Sequence, residues 1–194
     1  KNLFSYSFIF ITIITIIVCI FSSHSSFDYV DFGINPDDIY VSKIGYTWPI
    51  PNSYYISSYF GYRNLQLKGS GSYHSGIDIP ASEDTYFLAA MSGTITYTAL
   101  VEVGGYTIIL ENKDTKAVYC HVSPTFLVKV GDSVERSQVI GQVGPFNVYD
   151  VLNNPYTDKN GKPTNGSTTG CHLHFAIKIN GISKNPLDFV EVKL

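Results

Sequence analysis

Hydrophobic and polar positions divide the chain into an apolar front and a strand-like remainder. From Asn2 to Phe27 there is no Asp, Glu, Lys or Arg, and Leu3 to Phe21 is an almost unbroken run of Ile, Phe, Val, Thr and Leu. A helix of that length spans roughly 28 Å at ~1.5 Å per residue, close to the ~30 Å hydrocarbon core of a bilayer. The apolar part of a cleaved signal peptide is usually only about 7–15 residues and ends at a small-x-small site. Here Ser22, Ser23 and His24 follow the run instead. Residues 1–27 are therefore expected as a transmembrane signal-anchor, with a cleaved signal peptide as the alternative. Either leaves the remaining chain exported: at the cell membrane, single-pass with an extracytoplasmic domain, or secreted.

Residues 28–52 mix acids with Gly33, Pro36, Pro49 and Pro51 and hold no sustained period, which reads as a spacer. From Ser53 the chain turns to short runs rich in Ile, Val, Tyr and Thr, broken by Gly and Asn. These are Tyr55–Phe60, Gly93–Thr98, Tyr106–Glu111, Ala117–Val122, Gln138–Val143 and Leu173–Ile179. No segment there keeps a 3.6-residue apolar period over three turns. The expectation is a mainly β, antiparallel sheet or sandwich domain over 53–194, preceded by one transmembrane helix. Between the last two runs, Phe146 to Gly170 is polar and punctuated by Asn-Asn-Pro and Asn-Gly. So long a loop is uncommon in a compact domain and often functional. It is expected as a wall or lid of a groove, with a plain surface insertion as the alternative.

Composition narrows the function classes. Charged residues make up 15% of the 194 residues and the formal net charge is −3, with no basic cluster to track a phosphate backbone. Nucleic acid is excluded as a partner on that ground. None of the three cysteines forms a Cys-x-x-Cys pair, which excludes a disulfide scaffold and the usual zinc ribbons.

Candidate chemistry lies in the histidines. Apart from His24, they fall in three words: His74-Ser-Gly-Ile-Asp78, Tyr119-Cys-His121-Val, and Cys171-His172-Leu-His174-Phe. On a strand, His172, His174, Ala176 and Lys178 share one face, and Leu173, Phe175, Ile177 and Ile179 share the other. The apolar set should face the core, leaving two imidazoles about 7 Å apart on the accessible face. The same parity at the middle word places Val118, Cys120 and Val122 inward, with Tyr119 and His121 outward. His74 and Asp78 would be about 13 Å apart on a straight strand, too far for one ion with ~2 Å ligand bonds. A strand entry kinked at Gly76 would turn both towards one point. Two imidazoles, a carboxylate and an open fourth position make a zinc site of catalytic type.

The ordered words resemble the lysostaphin/LytM-type zinc metallo-endopeptidases over roughly residues 48–190. They are Trp48-Pro-Ile-Pro51, Ile56-Ser-Ser-Tyr-Phe-Gly-Tyr-Arg63, His74-Ser-Gly-Ile-Asp-Ile-Pro80, Gly93-Thr-Ile, Gly131-Asp-Ser-Val, Ile140-Gly141 and Thr169-Gly-Cys-His-Leu-His-Phe175. The resemblance implies His74, Asp78 and His174 as metal ligands, Zn2+ as cofactor, and His121 and His172 as catalytic histidines. It also implies an antiparallel β-fold with a substrate groove and activity on peptide cross-links or bridges of bacterial peptidoglycan. Some members place a Tyr a few residues before the first ligand. Here that stretch reads Leu67-Lys-Gly-Ser-Gly-Ser-Tyr73, a departure from the pattern.

Without a His-Glu-x-x-His pattern, the proton acceptor is expected at His121 or His172, and Arg63 is expected as a structural surface residue or a groove lining. Three other readings compete. A non-catalytic wall-binding or regulatory scaffold would keep the fold but usually lose ligands, and all five positions are filled. A biotinyl- or lipoyl-type carrier hairpin at Gly131–Gly141 would need a modifiable Lys at its tip, which is missing. Cys120 and Cys171 could serve as zinc thiolates, but their expected inward parity favours buried thiols, with a disulfide between them as a further alternative.

Overall fold

The computed structural model describes residues 29–63 and 72–190; the apolar run Leu3–Phe21 and most of the stretch before His74 lie outside the described residues. Among those described, no helix is long and apolar enough to cross a membrane. Helical turns among the described residues are confined to three short 3-10 segments, Tyr29–Phe32, Pro36–Asp38 and Pro186–Asp188.

The strands are β1 (Gly61–Tyr62), β2 (Tyr73–His74), β3 (Ile77–Pro80), β4 (Tyr86–Leu88), β5 (Gly93–Val101), β6 (Gly105–Asn112), β7 (Thr115–Cys120), β8 (Ser133–Val134), β9 (Val139–Gln142), β10 (His172–Ile179) and β11 (Ile182–Lys184). The main sheet runs β11-β10-β7-β6-β5-β8, with β3 also paired to β10, and two small sheets pair β1 with β2 and β4 with β9. Every pairing is antiparallel. Five of the six runs expected as strands become β5, β6, β7, β9 and β10. Tyr55–Phe60 does not. It touches β3 only around Asp78, where Ser57 N–H donates to Asp78 O (3.0 Å) and Asp78 N–H to Ser58 O (2.9 Å).

Alternation along the strands builds the core. Ile77 and Ile79 of β3 lie opposite Phe175 and Leu173 of β10, and Ile177 and Phe175 lie opposite Ala117 and Tyr119 of β7. All are fully buried, together with Ile108 and Leu110 of β6 and Ile95 of β5. Burying each large aliphatic or aromatic side chain contributes about 1.5–3 kcal/mol. The stretch expected as a spacer also contributes, because Trp48 and Ile50 join the same core.

Tyr119 corrects the expected parity. It is not outward but fully buried, stacked on Phe87 (5.2 Å between ring centroids) and packed on Phe175 (5.4 Å). Its hydroxyl accepts the Ala90 N–H at 2.8 Å, so the one polar atom of the ring is satisfied in the core. Cys120 therefore lies on the opposite face, directly across from His174, and not on the core side as expected. An aromatic ring with a hydroxyl partner can occupy a core position that hydrophobicity alone assigns to its neighbour.

Between β2 and β3, Gly76 passes over β10 so closely that a Cβ would stand 2.3 Å from Phe175 O and 2.9 Å from Ala176 Cβ. The expected kink is therefore real, and only a residue without a side chain can make it. β10 cannot yield, since it is bonded along both edges. Gly76→Ala should lower stability by about 1–3 kcal/mol, the usual range for forcing extra atoms into a packed site. Urea unfolding midpoints check this; a midpoint equal to that of the parent would contradict the close crossing.

Candidate active site

The core register sets the site. With Ile77 and Ile79 turned inward, Asp78 must project from the other face of β3, directly opposite His174. His74 arrives from the end of β2, just before the bend at Gly76. Its Nδ1 lies 3.0 Å from Tyr59 O, which can only accept, so Nδ1 carries the proton and Nε2 is left as an acceptor. His74 Nε2 stands 3.1 Å from Asp78 Oδ1 and 2.9 Å from His174 Nδ1, and His174 Nδ1 is 2.9 Å from Asp78 Oδ1. Arg63 approaches the carboxylate from behind, with Nη1 3.9 Å from Asp78 Oδ2. The same nitrogen donates to Ser58 Oγ at 3.1 Å.

Three atoms rich in lone pairs thus converge on one point. Ligands around a tetrahedral zinc with ~2.0–2.1 Å bonds sit about 3.3 Å apart, close to these spacings, and the His₂-carboxylate set is one that zinc takes. The residues fit the ion.

His172 and His121 flank this trio. His172 Nε2 is 3.5 Å from Asp78 Oδ1, and its Nδ1 lies 2.9 Å from Gly170 O. His121 follows the last residue of β7 with φ +59°, a left-handed conformation uncommon outside glycine. That turn breaks the strand alternation and brings the imidazole round beside His172, with ring centroids 4.7 Å apart. Its Nδ1 donates to Asn165 O at 2.6 Å.

Electrostatics separate the groups. Burial would raise the Asp78 carboxyl, but the imidazoles of His172, His174 and His74 gathered round it outweigh burial and hold the group far below the usual carboxylate range. Burial pushes His174 down, against the pull of Asp78. Burial also opposes charge on His172, yet its hydrogen bond to Asp78 carries it above the ordinary imidazole value. His121 is pushed down to about 3, first by burial and then by His172 and His174, so it is neutral near pH 7.

Residues 72–155 match the model for Peptidase family M23. The match is to an M23 peptidase domain. The chain is similar to the DD-carboxypeptidase/endopeptidase Mpg of Neisseria meningitidis, with 30% identity over 135 residues, covering 68% of this chain and 26% of that protein. The chain thus spans about a quarter of the length of this curated relative. Its structure is similar to the catalytic domain of the antimicrobial peptidase lysostaphin from Staphylococcus simulans (27% identity, TM-score 0.55, 70% of this chain and 90% of that one). It is also similar to a chain of the SpoIIQ–SpoIIIAH pore forming complex (25% identity, TM-score 0.53, 72% and 85%).

All five residues singled out in the sequence meet at one place on the sheet. Two features were not legible. Arg63, expected as surface or lining, stands behind Asp78. Asn165, fully buried inside a polar insertion, was not singled out, because an Asn-Gly pair there signals only a turn. Cys120 and Cys171 are free thiols. Burial pushes the Cys120 thiol up to about 11, leaving roughly one molecule in a thousand as thiolate at pH 8. Iodoacetamide at pH 8 should therefore spare Cys120 in the folded protein and modify it on unfolding. Peptide mass spectrometry reads this, and rapid labelling of the native chain would contradict the burial.

Proposed function

We propose that the chain is a zinc-dependent endopeptidase that hydrolyses peptide cross-links or bridges of bacterial peptidoglycan. One observation carries the reading: three ligand atoms 2.9–3.1 Å apart stand beside two further imidazoles whose Nδ1 atoms are already committed to backbone carbonyls. The likeness to Mpg and to the lysostaphin catalytic domain supports the substrate class. The apolar run Leu3–Phe21 supports an exported domain anchored in the cell membrane.

His74, Asp78 and His174 would hold the ion. When bound, zinc supplies Lewis-acid polarisation of a carbonyl and lowers the pKa of water towards ~7. The protein's own groups do the rest. Neutral His121 can accept a proton only at Nε2, since Nδ1–H is committed to Asn165 O. His172 can carry a proton at Nε2 beside Asp78 Oδ1 and is suited to steadying an oxyanion or protonating the leaving amine. Arg63 and the backbone bonds at Ser57 and Ser58 keep the Asp78 carboxylate aimed at the trio.

The likeness to a chain of the SpoIIQ–SpoIIIAH complex motivates a second reading, a binding scaffold without hydrolysis. Digestion of purified wall fragments separates the two, with mass spectrometry identifying the released termini. Binding without new termini would favour the scaffold. Elemental analysis after zinc reconstitution should find about one zinc per chain.

Variants divide the roles. His121→Ala and His172→Ala should lose at least about 100-fold in hydrolysis while keeping zinc. Asp78→Ala and His174→Ala should lose both activity and metal. Loss of zinc in His172→Ala with retention in His174→Ala would reverse the assignment of the pair.

A further inference from the structure

We infer that Asn165 is a positioning residue that locks His121 in the tautomer with Nε2 unprotonated, by fixing the carbonyl to which Nδ1–H is bonded. The inference rests on the reading of His121 as proton acceptor and names what that role requires.

The arrangement is built around the Asn165 side chain. Val122 N–H donates to Tyr106 O at 3.0 Å, continuing the β6–β7 ladder past the end of β7. The reciprocal bond of that rung would run from Tyr106 N–H to Val122 O. The Asn165 carboxamide stands in its place, with Oδ1 accepting from Tyr106 N–H (2.9 Å) and Nδ2 donating to Val122 O (3.0 Å). A side chain there must accept and donate at once, at the reach of Asn. Aspartate lacks the donor and leucine lacks both.

The cradle is lined by glycines. A Cβ on Gly105 would come within 2.2 Å of Asn165 Oδ1, and one on Gly144 within 2.6 Å of its Nδ2. The main chain is pinned as well: Asn165 N–H donates to Phe146 O (3.0 Å). On the other side, His121 N–H donates to Gly104 O (2.8 Å) and His121 O accepts from Gly144 N–H (2.9 Å). Donor and acceptor of the His121–Asn165 bond are thus each held independently. Removing the carboxamide frees the Asn165 side and the Val122 carbonyl, while both main-chain bonds of His121 itself remain.

The test uses the full chain in detergent micelles, labelled with 15N-histidine and loaded with zinc. Long-range 1H–15N correlation reads each imidazole's tautomer. The parent should show His121 protonated at Nδ1 and unprotonated at Nε2. Asn165→Asp and Asn165→Leu should shift His121 towards the other tautomer while His172, held by Gly170 O, stays as it was. A general loosening of the structure would move both histidines. Zinc content should be unchanged, and kcat on wall fragments should fall about 10- to 100-fold at constant KM.

A parent His121 protonated at Nε2 overturns the inference, whether or not the variants fold. A folded variant that keeps both the parent tautomer and the parent kcat overturns it too. If the tautomer responds as expected but the parent cleaves nothing, the positioning stands and the peptidase reading falls.

Discussion

The Asp78 carboxylate is the point on which the site depends. Its Oδ1 faces His74, His174 and His172 at 3.1, 2.9 and 3.5 Å, and without it three imidazoles would crowd together with no counter-charge. What aims it is the hydrophobic core, not the histidines. Ile77 and Ile79 are fully buried against β10, so the residue between them must emerge on the other face. A slip of one residue would send Asp78 into the core and an isoleucine into the site. Burial of a few aliphatic side chains and placement of the charged centre are therefore one constraint.

Local exceptions to regular geometry supply what a strand cannot. Gly76 lets His74 and Asp78, too far apart on a straight strand, share one point by crossing over the β10 backbone. His121 takes the opposite route, with a left-handed backbone in a residue that has a side chain. Such a conformation costs on the order of 1–3 kcal/mol and persists only where its surroundings hold it. Here two main-chain bonds and one imidazole bond hold it. Both irregularities fall where a functional side chain has to leave the path of its strand.

The insertion before β10 belongs to the same system. Its bridges Asn147–Thr164 and Thr157–Pro163 tie it back on itself, and Thr164 and Asn165 are buried beneath it. Its end supplies the carbonyls of Asn165 and Gly170 that receive the Nδ1 protons of His121 and His172. One segment therefore presents both Nε2 atoms to the site. The expectation of a groove wall did not include this role.

Sequence alone determined the antiparallel class, most of the long strands, and the five residues that meet at the site. Alternating apolar positions and clustered histidines are local signals, and a period of two decides which of them share a face. Parity failed at Tyr119 and Cys120, because a buried hydroxyl partner at Ala90 makes a tyrosine a core residue, and Ala90 is distant in the chain. The strand expected at Tyr55–Phe60 failed for a similar reason: only two main-chain bonds, both to Asp78, join it to β3. Tertiary structure alone decided the left-handed turn at His121, the placing of Arg63 behind Asp78, and the insertion of Asn165 into the β6–β7 ladder. Each depends on which distant backbone group lies within hydrogen-bond reach, and that is set only when the sheet has closed around it.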